Sequence, residues 1–233
     1  NWDVRTRLCK LHAHYKAMDK LGWLFGPRTE REVELCRIPV IHPRLRLVLD
    51  DAIWFADEGP LVFNLFLGDT RIFSLAFALR FEQDVLIAHV GAVQGRNSFE
   101  LPDIREVYRG LTHAAFGMRP RDLLIETFQL ACRHLGVGRI FLVSSDHQQR
   151  RDALFVESRR EVHANYDAIW LERGAWRLDK STFELPLDAR RRDAVDIPSR
   201  KRRQYERRYA MLGDASERIA AKLRALQGDA STF

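Results

Sequence analysis

Two short segments concentrate the side chains able to move protons. Val143–His147 reads Val-Ser-Ser-Asp-His, and Tyr166–Glu172 reads Tyr-Asp-Ala-Ile-Trp-Leu-Glu. His147, Tyr166, Asp167 and Glu172 have the types needed for general acid–base work, in which one group takes a proton and another supplies one. Ser144 and Ser145 lack the G-x-S-x-G elbow that exposes a nucleophilic serine. In an expected strand over Tyr166–Leu171, odd–even spacing puts Asp167 and Glu172 on opposite faces, with Glu172 beside Tyr166 and Trp170. Each candidate also has a structural reading: a capping or loop histidine for His147, a turn or core hydrogen-bond partner for Asp167. His89, inside an apolar run, reads more readily as a core histidine than as a base. His12 and His14 point apart on a helix, and no metal site is expected.

The rest of the composition bounds what surrounds these groups. The chain has 233 residues, 46% apolar and 30% charged, enough to bury a full core and too apolar for disorder. Cys9, Cys36 and Cys132 are odd in number and widely spaced, which suits a reduced cytoplasm rather than a disulfide framework. The longest uncharged apolar stretch, Gly59–Gly68, is far shorter than the roughly 20 residues of a spanning helix. The opening Asn-Trp-Asp-Val-Arg has neither an apolar leader core nor an initiator Met, so the expectation is a piece of a longer protein with an upstream segment missing. Of the formal net charge of +6, all lies between Leu187 and Leu226, which holds twelve Lys/Arg against six Asp/Glu. Two readings compete for this tail: a surface for phosphate or an anionic membrane, or a solvated helix face.

The positioning elements follow from periodicity. Leu8, Leu11, Tyr15, Met18 and Leu21 predict a first helix with that face buried, stopped by Gly22 and Gly26-Pro27. Glu32–Ile38 alternates, and Val40–Leu49 is β-prone but interrupted by Pro43, readable as an edge strand or an extended loop. Leu61–Leu67, Arg71–Phe81 and Val85–Val93 predict an antiparallel meander. Helices are expected over Asp103–Ala115 and Arg121–Leu135, then a buried strand over Arg139–Ser144. A polar stretch to Arg160 is readable as helix. Strands are expected at Tyr166–Leu171 and Trp176–Leu185, then a hinge at Leu187–Pro198. A final helix is capped by Ser199 and carries a stripe from Tyr205 to Leu226, with Gly213 able to bend or break it. The whole is one α/β domain: an N-terminal helix over 1–26, a core over 30–187 and a basic helix over 198–226.

Several strings, in order along nearly the whole chain, resemble the VirK/YbjX family of bacterial proteins. They are Arg7–Tyr15 (R-L-C-K-L-H-A-H-Y), Val93-Gln94-Gly95, Gly117–Leu124 (G-M-R-P-R-D-L-L), Val143–His147, Tyr166–Ala175 (Y-D-A-I-W-L-E-R-G-A) and Ser199–Tyr209 (S-R-K-R-R-Q-Y-E-R-R-Y). Ala175 stands where the pattern has a second glycine. The resemblance implies a cytoplasmic protein linked to envelope properties, virulence or tolerance of antimicrobial peptides.

The order of elements is also similar to the GNAT acyltransferase layout, a mixed, mainly antiparallel sheet flanked by helices. That likeness implies an N-acyltransferase acting on an amine of a peptide or an envelope-related acceptor, with acyl-CoA as donor or, in a variant, aminoacyl-tRNA. His147, Glu172, Tyr166 and Asp167 would then supply acid and base. A pantetheine arm would meet backbone in a splayed gap at His89, Val90, Gly91, Ala92 and Val93. Phosphates would meet the turn Gly117, Met118, Arg119 and Arg121, at a helix N-terminus with its positive dipole end. Pro120 fits the first helical turn but removes one N–H from it. For tRNA, Arg200, Lys201, Arg202, Arg203, Arg207 and Arg208 would track phosphates, with Tyr205 and Tyr209 available for stacking. The competing class is a non-catalytic binding or regulatory protein that engages an anionic partner through the same helix.

Overall fold

The structure, a computed structural model, describes residues 4–24, 32–52, 58–98, 101–147 and 165–230. The expected polar stretch to Arg160 lies outside the described residues beyond His147. An eight-stranded sheet is built from β1 (Val33–Arg37), β2 (Leu45–Asp51), β3 (Leu61–Leu67), β4 (Thr70–Glu82), β5 (Val85–Gly95), β6 (Val137–Val143), β7 (Trp176–Arg177) and β8 (Thr182–Leu185). Its spatial order is β1-β2-β3-β4-β5-β6-β8-β7, and every pairing is antiparallel except β5 with β6. The helices are α1 (Val4–Lys20), α2 (Ile104–Ala114), α3 (Pro120–His134), α4 (Tyr166–Glu172) and α5 (Ser199–Ala230).

The meander forms as its alternation predicts, with tight turns at Gly68-Asp69 and Gln83-Asp84, where Gly68, Gln83 and Asp84 take positive φ. The open question over Val40–Leu49 resolves into β2 beginning at Leu45, after Pro43, because proline cannot donate to a ladder. α3 crosses from β5 to β6, the long connection a parallel pair requires. Phe128 on α3 meets Phe63 and Phe77 of the sheet edge-on, with centroids 5.8 and 4.9 Å away. α5 packs on α3 and β1, burying Met211, Leu212, Ala215, Ile219, Leu223 and Leu226, and runs unbroken through Gly213.

Three expectations need correction. Tyr166–Leu171 is helix, not strand: Asn165 caps it by accepting from the Ala168 N–H at 3.1 Å, and Tyr166 and Trp170 meet at i, i+4 with centroids 5.5 Å apart. Trp176–Leu185 is not one strand but the hairpin β7–β8, turned where Asp179 accepts from the Ser181 N–H and Oγ–H. The first helix forms, but Leu8, Leu11 and Tyr15 are exposed by 61, 41 and 52%, while His14, Ala17 and Leu21 are buried. The buried face is set by β4. Beyond the end of β3 the Leu79 N–H lacks a strand neighbour, and His14 Nδ1 accepts from it at 3.1 Å.

Candidate functional site

β5 and β6 form a fork. Their parallel pairing runs from Leu86↔Val137 to Val90↔Leu142 and stops. At the same point β5 carries a bulge: opposite β4 the register jumps from Ala76↔Ala92 to Phe77↔Val90, leaving Gly91 as the extra residue. Only glycine fits there, because a Cβ on Gly91 would lie 1.9 Å from the Glu58 backbone oxygen. β6 ends at Val143, so the last residues of β5, which runs on to Gly95, have no ladder partner on that side.

α4 closes the fork as a wedge. The Tyr166 hydroxyl donates to the Val93 carbonyl at 2.7 Å and accepts from the Val93 N–H at 3.2 Å, holding the β5 prong. The Trp170 indole N–H donates to the Val143 carbonyl at 2.8 Å, holding the β6 prong. Asp167 accepts from the Ser145 N–H at 2.7 Å and pairs with Arg177. Tyr166 and Trp170 are buried at 3 and 0% exposure, so these bonds are made away from water, where leaving them unmade is costly. Burial raises the Asp167 pKa, but the Ser145 bonds and Arg177 outweigh it and hold the carboxyl below its usual range.

His147 ends a 3-10 turn, Ser145–His147, just past the C-terminal end of β6. Ser144 Oγ lies 3.0 Å from His147 Nδ1 and donates its single proton to the Lys180 carbonyl at 3.0 Å. That geometry assigns the imidazole proton to Nδ1 and leaves Nε2 as the basic nitrogen. Ser144 is fully buried, so it positions the ring rather than attacking a substrate.

The four acid–base candidates therefore divide. His147, Asp167 and Tyr166 surround the fork, whereas Glu172 stands six residues along α4, about 9 Å further at 1.5 Å per residue. There Glu172 accepts from Arg121 at 2.9 Å and lies 3.8 Å from Arg119. Along the expected arm site, Val90, Gly91, Ala92 and Val93 are buried, and His89 is held neutral, its pKa pushed down to about 3 by burial and by Lys10 and Arg80.

The expected phosphate turn lies at a second feature, a cleft of about 770 Å³ between α2, the loop into α3 and α5. Gly117 and Arg119 line it, with Arg109, His113, Arg203 and Arg207. Met118 is instead packed in the core, and Arg121 turns to Glu172 and Asp122. The loop is tightly turned: Phe116 and Gly117 have φ of 55 and 79°. The Phe116 carbonyl thereby faces α5, accepting from Gln204 Nε2 at 2.9 Å and from Arg208 at 2.6 Å. Arg192 and Arg208 lie over the Tyr205 ring and Arg191 over the Tyr209 ring, and both tyrosines are partly exposed. Sequence reasoning missed Arg109, His113, Gln204, Arg177 and the wedge role of Trp170.

Fold and site thus define a mixed α/β protein with a mostly antiparallel sheet, one forked parallel pair and a basic cleft. The chain belongs to the family described as Protein of unknown function (DUF535), which matches residues 1–221. It is 36% identical over 134 residues to an uncharacterized protein of Haemophilus influenzae Rd, covering 58% of this chain and 43% of that one. It is 29% identical over 135 residues to the uncharacterized protein YbjX of Escherichia coli K12, covering 58% of this chain and 40% of that one. The VirK/YbjX resemblance is thereby established, and the matched segment spans about two fifths of each of these relatives. A crystal structure of a protein of unknown function, AQ1966 from Aquifex aeolicus VF5, aligns over 79% of this chain and 89% of that one, at 14% identity and a TM-score of 0.24, a likeness that carries no argument. No helix among the described residues is long and apolar enough to cross a membrane.

Proposed function

We propose that the chain is a GNAT-like N-acyltransferase that works in the cytoplasm, with the β5–β6 fork as its acyl site and an amine of a peptide or envelope-related molecule as acceptor. The observation that carries this reading is the fork: one parallel pair in an otherwise antiparallel sheet, ending beside the Gly91 bulge, with a phenol rather than a strand on the backbone of Val93. An extended donor arm bearing amides, such as the pantetheine of acyl-CoA, can pair with such backbone groups as a short strand would. It must displace the Tyr166 hydroxyl from Val93 to do so. The displaced phenol then stands beside the thioester with a proton to give to the leaving thiolate, while His147 Nε2 takes the proton of the attacking amine. Asp167 and Arg177 keep the Ser144–His147 turn in place.

The test is a CoA titration of the purified chain followed by thiol release from acetyl-CoA and longer acyl-CoAs with a panel of amine-bearing peptides. The reading expects CoA to stabilise the fold and Tyr166→Phe to lower turnover without weakening CoA binding. Absence of both a CoA-induced shift and thiol release would refute it. The Tyr166 bonds favour the second reading, a non-catalytic binding protein, because they already satisfy both polar groups of Val93 in the free chain. That reading expects Tyr166→Phe to lose stability and nothing else.

A further inference from the structure

The cleft between α2, the loop into α3 and α5 has a chemistry of its own. Its charged lining is wholly cationic, Arg109 from α2, Arg119 from the loop and Arg203 and Arg207 from α5, with His113 of α2 beside them. Spacing explains the convergence, since Arg109 and His113 are four residues apart on α2, as Arg203 and Arg207 are on α5, so each pair shares a helix face. Among the described residues Arg109, Arg203 and Arg207 have no ion-pair partner, and Arg119 has only Glu172 at 3.8 Å. Glu106 and Glu206 are on the same two helices but outside the cleft lining. Packing that many guanidinium groups around one concavity costs repulsion, which an anion bound there would relieve.

The fold maintains this arrangement against strain. Phe116, a non-glycine residue, sits at φ 55°, and its carbonyl is fixed by Gln204 and Arg208. Those bonds tie α5 to the α2–α3 loop and hold the two basic faces together. Gly117 takes φ 79°, a conformation L side chains rarely adopt, so the turn toward α5 needs that glycine.

The positive surface does not end at the rim of the cleft. Arg105 continues it one turn back along α2, and Arg200 and Lys201 one turn back along α5, all exposed. A nucleotide would fill the cleft and leave those cations unused, whereas a chain of phosphates would follow them out. We propose that the cleft binds the phosphodiester backbone of a nucleic-acid strand, with Arg109, Arg203 and Arg207 as its phosphate contacts. This goes beyond acyl transfer and stands on different residues, so either can fail alone.

The experiment uses the full chain and a fluorescein-labelled single strand of about 12 nucleotides, a length within the usual range of strand-binding sites. Binding is read by anisotropy over a salt series, with the strand made as RNA and as DNA, and with CoA as competitor. The variant Arg109→Ala/Arg203→Ala/Arg207→Ala is compared with Arg218→Ala/Lys222→Ala/Arg224→Ala, which removes the same charge from the far part of α5. Circular dichroism confirms that both fold. For single strands each lost phosphate contact flattens the plot of log K against log salt by about 0.7, so the cleft variant should be shallower by about 2 and the far variant nearly unchanged. The tighter of the two strands identifies the sugar. Equal losses in both variants, or no binding of either strand, would overturn the proposal. So would displacement of the strand by micromolar CoA, which would make the cleft a nucleotide pocket.

Discussion

Tyr166→Phe removes one oxygen and tests the fork directly. The ring stays, so the packing against Trp170 is kept, but the Val93 carbonyl loses a donor at 2.7 Å and its N–H loses an acceptor at 3.2 Å. Each buried group left unsatisfied costs about 1–3 kcal/mol, and partial relaxation of the wedge brings the pair to about 2–4 kcal/mol. In a chain of this length that lowers the melting temperature by roughly 5–15 °C. Urea denaturation should show the loss as a lower midpoint at unchanged slope, since the surface exposed on unfolding does not change. The acyl-donor reading adds a second readout: a pantetheine arm would pair with the groups the phenol has vacated, so saturating CoA should stabilise the variant more than the wild type. A variant within about 0.5 kcal/mol of wild type would mean that Val93 is satisfied by other means and that α4 is not a wedge held by this bond.

Other perturbations probe the surrounding supports. His14 is buried, its pKa pushed down to about 4, and its Nδ1 must be unprotonated to accept from the Leu79 N–H. The unfolded state binds that proton near pH 6.5, so stability should be full above 6.5 and fall as pH drops toward 4, by up to about 3 kcal/mol. His89, held neutral for a similar reason, adds to the same slope, and His14→Gln, which still offers Leu79 an acceptor, should flatten it only in part. Gly91→Ala drives a Cβ into the Glu58 backbone and should cost about 3 kcal/mol or more, seen as loss of folded protein on urea titration. Gly117→Ala meets only the flexible end of Gln204 but must hold φ near 79°, and should cost about 1–2 kcal/mol by thermal melt. Glu172→Gln weakens its pairs to the exposed Arg119 and the half-buried Arg121 and, with Glu172 itself exposed, should shift stability by about 1 kcal/mol or less.

The meander and α3 were legible because each shows a clean period of two or of three to four residues, α2 showed a weaker helical pattern, and the strand at Ile140–Val143 was legible as a short uninterrupted apolar run. Tyr166–Leu171 was not, since a seven-residue helix offers under two turns of pattern and its Tyr, Ile and Trp favour strand by propensity. What decides it is Asn165 as cap, and the fixed bonds from Tyr166 and Trp170 to strands elsewhere in the chain. The misassigned face of α1 has a similar cause. Leu8, Leu11 and Tyr15 make the more apolar stripe, but an unpaired Leu79 N–H at the sheet edge needs an acceptor, and His14 supplies it. The basic tail was visible as charge. Its convergence with Arg109 was not, because the two helices lie about ninety residues apart and are brought together through the Phe116 carbonyl of the loop after α2.

α4 is the element that touches both features. Its first residue holds Val93 inside the fork, and its last, Glu172, reaches the first turn of α3 through Arg121 and the cleft through Arg119. An anion drawn into the cleft competes with Glu172 for Arg119, since both seek the same guanidinium. Anything that moves Glu172 moves a helix of only seven residues, and Tyr166 is at its other end. The pair Arg121–Glu172 resists that movement, with Arg121 largely buried and anchored to Asp122 as well. Arg121 at 2.9 Å holds Glu172 more firmly than Arg119 at 3.8 Å, so an anion that takes Arg119 leaves α4 in place and the two features stay independent.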